Sequence, residues 1–339
     1  MTVRKIAERA NVSPATVSLV LNNKDSVSQE TKNRVMRIAQ EIGYQAKNKG
    51  SKIGKKKSIR FVKYKEEGML AERNGDFITR VIDGVENEAR KRSMDLKITN
   101  ITSSNIMEMI SKINAENADD GIVFLGTEFQ ADNAETLKLF KAPLVVIDNE
   151  MKFVNIDSVV MDNSTIVYTA VKKLYDLGHR KIGHIKSLKK TESLKERHLA
   201  FKLVMNKLSL DIEEKYTYCA MPEIQYAQEP IHNQLKSPEK ELPTAFFADN
   251  DTMALAAIRA LKDIGVRVPD DVSIIGVDDL LISSYSEPKL TTIRIHTKTM
   301  GKKAVERLVD LINSDNTGVI KTFVGSELVE RESTLEYRG

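Results

Sequence analysis

Carboxylates and an arginine stand at the places where an α/β protein holds small molecules. Asp162 closes the apolar run SVVMD, Asn250 and Asp251 follow TAFFA, Asp278 follows VSIIGV, and Arg197 opens the helical stretch after KIGHI. Open parallel sheets bind ligands beyond the carboxyl ends of their strands. Vicinal hydroxyls suit the paired oxygens of a carboxylate and the fork of a guanidinium. Asp162, Arg197, Asn250 and Asp278 are therefore a candidate set for a polyhydroxylated small molecule, with Phe77 available to stack on a sugar face. Each Asp has a structural alternative as the cap of the following helix, which weighs most for Asp162 and Asp251. Lys186, Lys189 and Lys190 after KIGHI, and Lys63 and Lys65 around Tyr64, would suit a phosphorylated or acidic effector; as solvated surface charge they need no ligand.

No comparable set supports enzymatic chemistry. GSKIGKKKS approaches a phosphate-binding loop, but its glycines are one residue too close and no strand precedes it. His179 and His184 are five apart, which does not put two metal ligands on one helical face, and HExxH and GxSxG are absent. The lone Cys219 makes no intrachain disulfide and no CxxC site. No catalytic residue, metal or cofactor is expected.

These candidates need elements to position them, and the 339 residues are enough for two or three domains. Net charge is +4 overall, yet residues 1–58 carry nine Lys and four Arg against Glu8, Asp25, Glu30 and Glu41, a local +9 that leaves −5 for the rest. That asymmetry favours a polyanion, nucleic acid first, at the N-terminal end. Residues 2–44 have helical periodicity. A first helix carries Ile6, Ala7 and Ala10 on one face. Ser13 then caps a second helix with Pro14 at its first position, where the missing N–H costs nothing, and Val17, Val20 and Leu21 supply its apolar face. Ser28 caps a third helix with Val35, Ile38, Ala39 and Ile42 inward. Residues 45–58, QAKNKGSKIGKKKS, hold six Lys, two Gly and the single large apolar Ile53, a linker by composition. From Ile59 onward, apolar runs alternate with helical stretches near 78–92, 165–177, 197–208 and 252–264, which implies parallel sheets with right-handed crossovers. Length favours two lobes over one sheet.

The segment VRKIAERANVSPATVSLVLNNKDSVSQETKNRVMRIAQEIGY resembles the DNA-binding headpiece of the LacI/GalR repressor family. DNSTIVYTAVKKLYDLGHRKI, ERHLAF, ADNDTMALAAIRAL, VPDDVSIIGVDD, PKLTTI and LVERESTLE resemble its sensor domain, in the family's order and over almost the whole chain. The resemblance implies an all-α helix-turn-helix headpiece (1–45), a basic hinge (46–58) and an α/β sensor domain (59–339). That sensor is periplasmic-binding-protein-like, with two similar lobes of parallel sheet: one spanning about 59–178 and 297–324, the other about 179–293 and 325–339. Arg197 matches the arginine of the family's RxxGF segment, with Ala200 in place of its glycine.

The implied partners are double-stranded operator DNA, a small-molecule effector that is a sugar or sugar phosphate, and a second copy in a homodimer. On DNA, Thr16 and Ser18 are expected to donate to phosphates, Thr2, Ser13 and Asn22 are further DNA-binding candidates, and Pro14, Ala15 and Leu19 take the family's base-reading positions. None of those three can form a bidentate hydrogen bond to a base, so they offer only apolar contact such as packing on a thymine methyl. Ile53 stands where the family's hinge wedges an apolar side chain into the minor groove, flanked by Lys52, Lys55 and Lys56. Ala46 replaces a common proline, and Gly50 and Gly54 each cost a hinge helix about 1 kcal/mol relative to alanine. No apolar run approaches bilayer length, and the charged MTVRKIAERA does not read as a signal peptide. A cytoplasmic protein without membrane contact is expected, and an exported sugar-binding protein would leave the first 58 residues without a purpose.

The hinge generates a prediction. Ile53→Ala removes a wedge and no charge, so specific operator binding should weaken much more than non-specific binding, with the salt slope nearly unchanged. Replacing Lys55 and Lys56 by Gln should flatten that slope, by about 0.9 per lost phosphate contact, and weaken all sequences alike. Fluorescence anisotropy across a salt series separates the two, and equal operator affinity of Ile53→Ala and parent at every salt concentration would reduce the hinge to a charged tether.

Overall fold

The computed structural model describes residues 3–21, 27–41, 57–67, 75–236, 241–314 and 318–338. The chain divides into two compact units, Met1–Lys57 and Ser58–Gly339. In the first, α1 (Val3–Ala10), α2 (Pro14–Leu21) and α3 (Gln29–Glu41) close on a small core of Ile6, Ala7, Ala10, Val17, Val20, Val35 and Ala39. Asn11 turns the chain between α1 and α2 with φ 51°, a left-handed conformation that Asn tolerates. Leu21 and Ile42, expected in this core, have side chains outside the described residues.

The second unit is α/β throughout. The chain runs β1 (Ser58–Lys65), α4 (Gly75–Lys91), β2 (Asp95–Thr102), α5 (Ile106–Glu116), β3 (Gly121–Leu125), α6 (Ala134–Leu137), β4 (Leu144–Ile147) and β5 (Asp157–Met161). It continues through α7 (Asn163–Asp176), β6 (Ile182–Ser187), α8 (Glu192–Lys207), β7 (Thr217–Ala220), α9 (Ile224–Leu235), β8 (Ala245–Ala248), α10 (Asp251–Asp263), β9 (Ser273–Asp278) and β10 (Thr291–Ile295). It ends with α11 (Thr297–Asn313), β11 (Lys321–Val324) and β12 (Ser326–Val329). Two six-stranded sheets result, in the orders β11-β5-β4-β3-β1-β2 and β12-β10-β9-β8-β6-β7. All pairings are parallel except β10 with β12. The central strands β3, β5, β8 and β9 are buried at every residue, as crossover helices on both faces require.

The chain passes between lobes at Asp162, at His296 and at Gly325. The first of these corrects the expected boundary at residue 178. Helix α7 packs against α8 and the second sheet, burying Ile166, Val167, Ala170, Val171 and Leu174. An amphipathic helix after a strand announces its apolar stripe but not which sheet will cover it. Strand β2, DLKITNIT, lies at a sheet edge with mostly exposed or half-buried residues, so it lacks the apolar run that marks the central strands.

In the first lobe α4 and α11 cross at two glycines. A Cβ on Gly84 would lie 2.2 Å from the Lys298 carbonyl oxygen, and one on Gly301 would lie 2.3 Å from that of Val81. Backbone meets backbone there, so a methyl group forces the helices apart. Gly84→Ala should destabilise the sensor by about 1–3 kcal/mol. The expected result is a lowered urea midpoint, followed by far-UV circular dichroism because the chain has no tryptophan.

Candidate functional site

In the headpiece, the Ser13 hydroxyl accepts the Thr16 N–H at 3.0 Å and shares a 2.9 Å hydrogen bond with the Thr16 hydroxyl. One orphan donor of α2 is thereby satisfied, and Ser28 does the same for Thr31 at 3.4 Å in α3. Val17 and Val20 turn inward, leaving Ser13, Pro14 and Ala15 exposed and Leu19 39% exposed on the outer face of α2. A Leu on that face has no core to enter, in keeping with an intermolecular contact. The Ser18 side chain and Thr2, Asn22, Lys52, Ile53, Lys55 and Lys56 lie outside the described residues.

In the second unit the carboxyl ends of both sheets open on one cavity. Phe77 of α4, Thr127 and Asp148 after β3 and β4, and Met161 of β5 line it from the first lobe. Thr191, Ser193 and Arg197 around α8, Asn250 and Asp278 line it from the second. Four of the five effector residues expected from the sequence, Phe77, Arg197, Asn250 and Asp278, thus meet in one place.

Arg197 is buried, and its guanidinium is spread over the lobe crossing. Nε donates to Asn163 Oδ1 at 3.0 Å, Nη1 to the Asp249 carbonyl, and Nη2 approaches Met161 Sδ at 3.0 Å and Asp278 Oδ1 at 4.0 Å. Asp278 ends β9 with φ 117°, a costly conformation for a residue bearing a Cβ and one that gathers at ligand sites. Asn250 does two jobs. Its Oδ1 caps α10 through the Met253 N–H at 2.8 Å, and its Nδ2 donates to the Pro222 carbonyl at 3.2 Å.

Asp162 is corrected. It is absent from the cavity lining, and its carboxylate accepts the Thr165 N–H at 3.0 Å and the Thr165 hydroxyl at 2.7 Å as the N-cap of α7. The strand-end Asp251 of the second lobe is a buried anchor: it accepts from the Leu280 N–H at 2.9 Å and the Ser283 hydroxyl at 2.6 Å. Burial pushes its carboxyl up to about 6 against the opposing effect of these hydrogen bonds.

Asp148, Thr127 and Ser193 were not singled out in the sequence. Asp148 follows PLVVI as Asp162 follows SVVM, so the strand-end signal that selects one selects the other. In the fold Asp148 takes φ 64° and accepts the Thr127 hydroxyl at 2.7 Å from its own lobe and that of Ser193 at 3.3 Å from the other. Lys189 is not surface charge either. It is buried and donates to Glu128 at 2.8 Å across the lobes.

Comparison with known proteins follows this division. The family described as bacterial regulatory proteins, lacI family, matches residues 2–47, and the periplasmic binding protein-like domain matches 171–334. The HTH-type transcriptional repressor PurR of Haemophilus influenzae is 30% identical over 345 residues, covering 98% of each chain. Among solved structures, the regulator CelR in complex with cellobiose superposes with TM-score 0.70 at 23% identity over 98% of this chain and 99% of that one. The lac repressor dimer bound to operator and the anti-inducer ONPF superposes with TM-score 0.72 at 22% identity over 99% of each. These two share its fold.

The placement of Asp162 carries its own check. Asp162→Ala removes a helix cap and no lining group, so it should cost about 1 kcal/mol of stability in a denaturant melt. Loss of ligand binding without loss of stability would return Asp162 to the cavity.

Proposed function

The chain belongs to the lacI family of bacterial regulatory proteins, and from that premise we propose that it is a transcriptional repressor controlled by an uncharged, polyhydroxylated effector of the sugar class. The effector occupies the cleft between the sensor lobes, and the repressor binds a roughly palindromic operator as a homodimer, one headpiece to each half-site. The observation that carries this reading is the cleft lining: two carboxylates, Asp148 and Asp278, stand with one guanidinium, Arg197, among the hydroxyls of Thr127, Thr191 and Ser193. Such a set offers acceptors and donors to sugar hydroxyls and an excess of negative charge to a phosphate ester. No lysine is among the described lining residues, which favours the free sugar over the sugar phosphate. Phe77 supplies an apolar face.

On DNA, Pro14, Ala15 and Leu19 contribute apolar contact to bases, and Ser13, Thr16, Ser18, Thr2 and Asn22 fix register on the backbone. Lys52, Lys55, Lys56 and Ile53 add phosphate contact and a minor-groove wedge. With so little direct hydrogen-bond readout, operator shape and deformability carry much of the specificity. The effector acts through unequal affinity for two lobe arrangements, and a coupling of about 1–3 kcal/mol makes a useful switch.

The test selects operators from a random duplex pool with the full-length protein, then measures affinity with a panel of free sugars and their phosphate esters. A free sugar should change operator affinity by roughly 5- to 150-fold. Arg197→Ala and Asp278→Asn should retain operator binding and lose that response. If phosphate esters alone act, or if Asp278→Asn binds the active sugar with undiminished affinity in calorimetry, the assignment of the cleft is overturned.

A further inference from the structure

Behind the effector cavity three side chains converge that the sugar reading does not use. His184 comes from β6, His198 from α8 and Asp249 from the residue after β8. His184 Nε2 lies 2.8 Å from Asp249 Oδ1, His198 Nε2 lies 2.7 Å from Oδ2, and the Ser187 N–H donates to Oδ2 at 2.7 Å. The Asp249 side chain is fully buried and that of His184 nearly so, whereas that of His198 is 17% exposed. Arg197 bonds the carbonyl oxygen of Asp249 and leaves the carboxylate to the two imidazoles and the amide.

An ionised carboxylate out of water needs compensating charge. Burial pushes the Asp249 carboxyl up, but the charge and hydrogen bonds of His184 and His198 outweigh burial and hold it below the usual carboxylate range. The negative charge of this carboxylate is offset by a proton held among the three groups or by a bound cation.

We propose that His184, His198 and Asp249 form a binding site for a divalent transition-metal ion of the zinc, cobalt and nickel class. One nitrogen from each histidine and one carboxylate oxygen already lie within 4.8 Å of one another. Three protein ligands with an open fourth position are a common zinc arrangement, with bonds of about 2.0–2.2 Å, so a small rearrangement of these side chains completes it. Two imidazoles and a carboxylate suit zinc, nickel and cobalt better than calcium or magnesium. The outer contacts fit as well. The Ser187 N–H fixes the carboxylate, and Phe201 stacks on the His184 ring at 4.4 Å between centroids, orienting it. Half-buried His198 provides the entry path. A cation replaces the proton held by the cluster, each imidazole presenting Nε2 while its remaining proton sits on Nδ1, so binding releases that proton and weakens as pH falls. Because His198 follows Arg197 and Asp249 precedes Asn250, a filled site holds two cavity residues in place. The three ligands stay the same whichever effector the cavity takes.

The experiment uses the full-length protein, free of any histidine tag and stripped with chelator. It is titrated with Co2+ followed by visible absorption, and with Zn2+ by calorimetry in two buffers of different protonation enthalpy. One equivalent per chain should bind, with the d–d bands of nitrogen and oxygen ligation and a buffer-dependent heat that reports proton release. His198→Ala should weaken binding by at least about 100-fold, more than loss of an outer contact costs, while circular dichroism shows the fold intact. His184→Gln gives the second ligand deletion; if it does not fold, His198→Ala still decides. Absence of saturable Co2+ and Zn2+ binding up to millimolar concentration, or equal affinity in parent and His198→Ala, overturns the site and leaves the cluster a hydrogen-bonded triad.

Discussion

A guanidinium is buried where the sensor chain passes from one sheet to the other, and the arrangement of the cleft follows from satisfying it. Arg197 has five donors in a fixed fork, and a buried charge left without partners costs several kcal/mol. Its partners come from four places in the chain: Met161 at the end of β5, Asn163 at the start of α7, the carbonyl of Asp249 and the carboxylate of Asp278. The same side chain therefore ties the first lobe crossing to the strand ends of the second lobe and sets one wall of the cavity. Any ligand that draws on the guanidinium competes with these contacts, which links occupancy of the cleft to the geometry of the crossing.

Around that point polar contacts join the lobes beside an apolar cluster that runs from Val159 and Met161 of β5 to Ile166 and Val167 of α7. Lys189 reaches Glu128, Lys152 reaches Glu196 at 2.9 Å, and Asp148 accepts hydroxyls from both sides. Polar contacts across a cleft can be exchanged for contacts to a ligand or to water with little net cost, whereas the buried cores under each sheet cannot. The three segments that cross between the lobes are short. A ligand in the cleft would act on such contacts only through a difference in binding energy between two lobe arrangements.

Much of this was legible in the order of residues. Ser13-Pro14 announces a helix start, and Val17 with Val20 leaves Leu19 on the outer face, as the headpiece has it. The apolar runs IRFVKY, GIVFL and VSIIGV became buried central strands because only a doubly covered parallel sheet tolerates such runs. Asp162 misled because a strand-end Asp has two uses, lining a cleft or capping the next helix, and α7 took it as a cap. Lys189 misled because charge runs are usually solvated, while here Glu128, 61 residues earlier, compensates it in the interior.

The local elements, their apolar faces, the concentration of positive charge in the first 58 residues and the strand-end positions from which a ligand site could be built are all written along the chain. These are properties of near neighbours, set by periodicity, capping and composition. The tertiary structure alone decided which sheet covers α7, that Asp148 rather than Asp162 faces the cleft, and that His184, His198 and Asp249 share one buried point. Those outcomes depend on how crossover helices stack on two separate sheets. Residues 14 and 51 positions apart met only when that stacking brought β6, α8 and the end of β8 together, and no local pattern along the chain encodes such a meeting.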